Sequence, residues 1–217
     1  VKKFADKVAS ASSLAYLSNF AISNTAGFAS TAMQAGLKNT GKAIVQTLFT
    51  NKEGSKNTAE MAGALYNVTK GWLNAEKSVA SKLFGITKSE NFLRTVSAVA
   101  GKERGLQLFS SLKQGKLNGA NVKFLEDLTL TDAATLMKQK ELSAQQLKTV
   151  SGRMSELSQG LAEPRKLPVY WDDPYMQLPT IFKKYAFQTA AHMKDAVKRD
   201  PLKNGAKLLV LSQLFGE

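Results

Sequence analysis

A chain of 217 residues is long enough to bury a core, as one large domain or two small ones. With 43% hydrophobic and 22% charged residues, wholesale disorder is excluded. There is no cysteine, which excludes disulfides, thiolate metal sites and Cys nucleophiles together, and suits a chain that meets both reducing and oxidising compartments.

The net charge of +13 is unevenly spread. Residues 1–125 hold 17 Lys and Arg against 6 Asp and Glu, whereas residues 126–217 hold 13 against 11. Such asymmetry points to a polyanion facing one half: nucleic acid, anionic lipid or an acidic partner. The plain alternative is a solvated basic surface that aids solubility. Lysines far outnumber arginines and form no dense basic block, which suits a diffuse field and non-specific DNA contact rather than base readout by bidentate Arg.

In chain order, the first unusual segment is Val8 to Leu37, thirty residues without a charge. As one helix it would run about 45 Å. Ser, Thr, Asn, Gln and Gly are scattered through it, so it is no ordinary transmembrane span. Ser23, Gly27, Thr31 and Ala35 form a stripe of small residues at i, i+4 spacing, which lets another backbone approach closely. Three readings stay open: a buried helix inside a bundle, a segment packing against copies of itself in an oligomeric ring, or a conditionally membrane-inserted segment whose polar side faces a lumen. Asn24 is a candidate break within it. No signal peptide is visible.

Asn57-Thr58 reads as the start of a helix through Met61, Leu65, Val68, Trp72, Leu73, Val79 and Leu83 that ends near Gly85. Thr87-Lys88-Ser89-Glu90 reads as a capping box opening a helix with Phe92, Leu93, Val96, Val99, Ala100, Leu106, Phe109 and Leu112 at close to a 3.6 period. Thr131-Asp132 starts a short helix holding Leu136 and Met137. Ser143-Ala144-Gln145-Gln146 is a second box, ahead of Leu147, Val150, Met154 and Leu157. The connections Phe49–Lys56, Gly85–Thr87 and Gly115–Gly119 are short, which makes antiparallel neighbours. No run alternates as a strand does, and no repeat of solenoid length is present.

Pro164, Pro168, Pro174 and Pro179 stiffen Leu161 to Pro179 into an extended strap, in which Tyr170, Trp171 and Tyr175 offer large contact area. The strap wraps its own bundle, the preferred reading, or docks on a neighbouring subunit. Leu178 to Arg199 follows as a helix with Ile181, Phe182, Tyr185, Ala186, Thr189 and Met193 on one side, and Asp200-Pro201 begins the last helix. The expected fold is all-α: a basic multi-helix bundle over 1–160, the proline strap over 161–179, and a C-terminal helical pair over 180–217. Val1 in place of Met, and the apolar run Leu208 to Phe215 without a stop signal, read as cut ends of a longer polypeptide.

No reaction chemistry is written in the chain. One histidine, His192, with no cysteine cannot build a typical zinc site. Asp172-Asp173 beside Trp171 and Tyr175 suggests a glycosidase or Mg²⁺ site, but Asp172-Asp173-Pro174 fits a turn and helix entry better. No P-loop or dinucleotide fingerprint is present. The expectation is therefore no catalytic residue, metal, cofactor or small-molecule substrate.

The strap LAEPRKLPVYWDDPYMQLP, followed by Phe182-Lys183-Lys184-Tyr185-Ala186-Phe187-Gln188-Thr189, resembles the C-terminal regions of very large phage polyvalent proteins and internal virion (ejection) proteins. In these, a Pro-aromatic-acidic strap precedes an aromatic helix, and an apolar stretch in the place of Leu208 to Phe215 follows. The region around Leu17-Ser18-Asn19 is also similar to segments upstream in such proteins. The likeness covers Leu14 to Phe49 and Phe92 to Phe215, and carries no functional residue over, because the family's enzymatic parts sit in other domains. It implies a protein packaged in the virion that passes into the host envelope or periplasm during infection. There it would pack with copies of itself and other virion proteins as a conduit for DNA. The alternative is a DNA-associated structural or scaffold protein with no membrane role.

Overall fold

The computed structural model describes residues 27–63, 86–158 and 190–215. In chain order these form α1 (residues 27–35), α2 (Leu37–Val45), a π-helical turn (Gln46–Thr50), α3 (Lys52–Met61), α4 (Ile86–Lys113), α5 (Gly119–Thr129), α6 (Ala133–Lys138), α7 (Ala144–Ser158), α8 (residues 190–199) and α9 (Pro201–Phe215). The fold is all-α, with no strand among the described residues.

The bundle is built around α4. Nine consecutive residues, 93–101, are buried on every side of the helix. A helix buried all round must have neighbours on all faces, and α4 packs against α2, α3, α5 and α7. It also meets α1, where Phe28 and Phe92 hold their ring centroids 6.0 Å apart. The enclosed stretch is mostly small: Thr95, Ser97, Ala98, Ala100 and Gly101 stand among Leu93, Arg94, Val96 and Val99. Small side chains let several helices crowd one axis.

The crossing with α7 is tight. A Cβ placed on Gly101 would lie 2.4 Å from the Met154 Cβ, and one on Gly105 would lie 2.6 Å from a methyl of Val150. On the far side of α7, a Cβ on Gly152 would come within 2.7 Å of the Ala62 carbonyl oxygen that ends α3. These three glycines let α4, α7 and the end of α3 meet nearly backbone to backbone. The core then continues through Leu108, Phe109 and Leu112 of α4, Phe124, Leu125 and Leu128 of α5, and Leu136 of α6.

Several starts follow the sequence closely. Ser143 and Gln146 exchange the reciprocal bonds of a capping box: the Gln146 N–H donates to Ser143 Oγ at 3.2 Å, and the Ser143 N–H donates to Gln146 Oε1 at 2.8 Å. Asp132 caps α6 by accepting from the Thr135 N–H at 2.8 Å. Asp200 accepts from the Lys203 N–H at 3.2 Å, with Pro201 as the first helical residue. α4 ends at the expected Gly115, in left-handed backbone (φ 65°), with the Lys116 N–H reaching Ser111 O and the Gly115 N–H reaching Leu112 O.

Other expectations are corrected. Thr87 is no cap, since Ile86 is already helical; Gly85, where the expected Gly85–Thr87 link begins, lies outside the described residues. Asn57 and Thr58 lie inside α3 rather than at its start. Asn51 caps that helix, its Oδ1 accepting from the Gly54 N–H at 3.1 Å, while Thr58 bonds back to Gly54 O at 2.8 Å. A hydroxyl that satisfies itself on the preceding turn is compatible with a helix interior. The expected Phe49–Lys56 loop is instead a π-helical turn, one non-helical residue at Asn51, and the first turns of α3. Leu106 is 39% exposed, and Leu108 takes the core position. The uncharged stretch breaks at Gly36, whose positive φ of 96° separates α1 from α2; Asn24 lies outside the described residues.

The C-terminal helices pack on the start of the chain. Ala196 of α8 shares a core with Ala29, Ala32 and Met33 of α1, and Met193 and Val197 pack against it. Polar contacts complete the α2–α4 face, where the Asn39 and Gln107 amides bond reciprocally at 2.9 and 3.0 Å and Lys42 pairs with Glu103 at 2.7 Å.

Candidate polyanion-binding site

A cluster of cations stands where α4, α5, α8 and α9 come together. Arg199 ends α8 because Asp200-Pro201 stops that helix and starts the next. Its guanidinium carbon sits 3.5 Å from the centroid of the Phe124 ring, a close cation–π stack. Its Nη2 donates to Gln34 Oε1. The same Gln34 donates from Nε2 to the His192 carbonyl at 2.9 Å, so one buried amide on α1 holds both ends of two turns of α8. Asn118, at the entry to α5, donates to the Arg199 carbonyl at 3.3 Å.

Arg104 projects from α4 with its Nε buried and without a hydrogen-bond partner. Lys207 lies one turn along α9 from Asn204 and donates to Asn204 Oδ1 at 2.8 Å; Asn204 in turn donates to the Ala196 carbonyl at 2.6 Å. Asp127, Asp195 and Asp200 are close enough to act on the cluster, yet among the described residues none forms an ion pair with Arg104, Arg199 or Lys207.

Burial and mutual repulsion destabilise the charged forms. Burial lowers the Arg104 pKa, with Asp200 opposing. Burial and then Arg104 bring Arg199 down to about 10, against Asp195 and Asp127. For Lys207, burial comes first, then Arg104 and Lys203, and the ammonium falls from 10.5 to about 8. The unfolded chain holds this proton up to a higher pH than the folded chain does. The penalty is therefore fully present below about pH 8 and is relieved as the pH rises towards 10.5. The thermal midpoint is expected to rise across that window in low salt, and Lys207→Met is expected to flatten the rise. A wild-type midpoint that does not rise there contradicts the account.

No family model, curated protein or solved structure matches the chain. The reading of the site therefore rests on its own residues.

Of the residues singled out in the sequence, Gly27, Thr31 and Ala35 are buried within this chain. The Thr31 hydroxyl donates to Gly27 O at 2.8 Å, and having spent its one hydrogen it accepts from Ser97 Oγ at 2.7 Å, tying α1 to α4. Ser23, Tyr170, Trp171, Tyr175, Phe182 and Tyr185 lie outside the described residues, as do Asp172 and Asp173 and the strap 161–179. His192 is buried on α8. Among the described residues, no three His, Asp or Glu side chains gather to hold a metal ion. No described helix is long and apolar enough to cross a membrane.

The sequence reading did not single out Arg104, Arg199 or Lys207. They come from distant parts of the chain, and each is one basic residue among 30. The only local signal was Arg itself, scarce here and the cation best suited to stacking and to buried forks.

Proposed function

We propose that this chain is a non-catalytic structural component of a phage DNA-ejection apparatus. In this reading it packs with copies of itself and with other virion proteins, and its basic surface rides against the phosphates of the genome as DNA passes. The observation that carries the polyanion contact is the concentration of positive charge: +13 overall, with Arg104, Arg199 and Lys207 held together without ion-pair partners among the described residues. The likeness of the strap and the aromatic helix to internal virion proteins supplies the ejection context. A bundle without cysteines, held by small-residue crossings, is also compatible with a protein that unfolds, travels and refolds.

A second reading is a DNA-associated scaffold that never meets a membrane. It is favoured by one observation: over residues 27–35 the uncharged stretch is enclosed by α4 and α8 of the same chain.

Imaging the purified protein with and without liposomes separates the two. Rings or tubes seated in bilayers are expected under the ejection reading. Soluble particles that bind duplex DNA and ignore liposomes support the scaffold. A monomer indifferent to both lipid and DNA overturns both.

A further inference from the structure

We propose that Arg104, Arg199 and Lys207 form a seat for one phosphate-type oxyanion at the junction of α4, α8 and α9. This rests on the polyanion-contact part of the proposed function and narrows it to named atoms.

A cluster of like charges is costly unless something neutral or negative lies among them. Here the nearby carboxylates, Asp127, Asp195 and Asp200, stand off, and no ion pair among the described residues engages the three cations. The Arg104 Nε–H is a buried donor without a hydrogen-bond partner, which costs free energy in the folded state. Arg199 has its plane fixed by Phe124 and one nitrogen committed to Gln34, so its remaining N–H groups are oriented in advance. Lys207 is held by Asn204, which is itself anchored to the α8 backbone. Donors thus come from three helices. A tetrahedral oxyanion offers acceptors in several directions and suits guanidinium forks, whereas a halide offers one undirected charge. Binding would also cancel the repulsion among Arg104, Arg199, Lys207 and Lys203 that depresses the Lys207 ammonium.

The same chemistry is presented by inorganic phosphate and by the phosphodiesters of a duplex, and the test separates them. Lys207 can report occupancy, because its neutral fraction near neutral pH makes it unusually reactive towards an acylating reagent, with the exposed Lys52 and Lys138, on α3 and α6, as internal controls. Labelling is read residue by residue by mass spectrometry, in sodium phosphate or a short duplex, against sodium chloride of equal ionic strength. Occupancy is expected to slow Lys207 labelling roughly tenfold or more, since each unit of restored pKa is a factor of ten in neutral amine. The controls are expected to change little. Phosphorus NMR of inorganic phosphate then gives the affinity directly, expected to weaken roughly tenfold in Arg104→Gln. The half-exposed Lys207→Gln is the second variant should Arg104→Gln fail to fold.

Protection by inorganic phosphate alone assigns the seat to free phosphate. Protection by duplex at far lower phosphate content assigns it to nucleic acid. If phosphate protects Lys207 while duplex does not bind at all, the seat stands and the DNA reading falls. If duplex binds with Lys207 labelled at its chloride rate in both probes, the seat falls and the DNA reading stands. Affinity for phosphate unchanged in the folded variants also overturns the seat.

Discussion

Gly105→Ala is expected to destabilise the fold, and Val150→Ala is expected to repair much of that loss. The added Cβ would lie 2.6 Å from one Val150 methyl but 3.5 Å from the Val150 Cβ, so removing the methyls turns a clash into ordinary contact. Overpacking of this kind costs about 1–3 kcal/mol, against the ~1 kcal/mol that Ala gains over Gly in a helix. The double variant should therefore be more stable than the sum of the singles by about 1–3 kcal/mol in urea titrations. Gly101→Ala behaves differently. Its clash is with the Met154 Cβ at 2.4 Å, an atom that Met154→Ala keeps, so that second change should give little relief. Gly152→Ala meets a backbone carbonyl, Ala62 O at 2.7 Å, and no side-chain change at Ala62 should rescue it. Additive behaviour of Gly105→Ala with Val150→Ala would mean that α4 and α7 do not cross as described.

The second large effect is local. Arg199→Ala removes the stack on Phe124 and strips Gln34 Oε1 of its donor, leaving a buried amide half satisfied. A hydrogen bond from a charged donor contributes about 1.5–3 kcal/mol and a cation–π contact about 0.5–2 kcal/mol. Relief of the repulsion from Arg104 offsets part of this, so the expected net loss is about 1–3 kcal/mol. It should appear as faster amide exchange over residues 190–215, roughly tenfold or more, while residues 93–101 keep their protection. Arg199→Lys should not restore it, because an ammonium neither stacks nor forks as a guanidinium does. Uniform loosening of the whole bundle would show that Arg199 does not act locally on α8.

The elements whose signals are local were legible in the sequence. The Ser143–Gln146 box, the Asp132 cap, Asp200-Pro201 and the stop at Gly115 each depend on residues three or four apart, and each stands as read. Local reading failed where a cap-like residue stands inside a helix that begins earlier. Asn51 already caps α3 ahead of Asn57-Thr58, and Thr87 follows the helical Ile86.

In the stripe Ser23, Gly27, Thr31 and Ala35, Thr31 meets α4 through the Ser97 hydroxyl, and Ser23 lies outside the described residues. Gly101 and Gly105 share the same i, i+4 spacing, were not singled out in the sequence, and make the close crossing with α7. The charged residues around Gly101 and Gly105 (Lys102, Glu103 and Arg104) masked the stripe. The cation cluster was illegible for another reason: nothing near Arg104 in the sequence indicates that Arg199 and Lys207 will fold against it.

The central claim is that this helical bundle presents a cationic surface to the phosphates of a polyanion without reading bases. Duplex binding measured against salt concentration tests it most directly. The account predicts that log K falls linearly with log salt, with a slope of about −3 or steeper for several released counterions, and does so alike for unrelated duplex sequences. Binding that ignores salt, or that follows one sequence and not another, would contradict it.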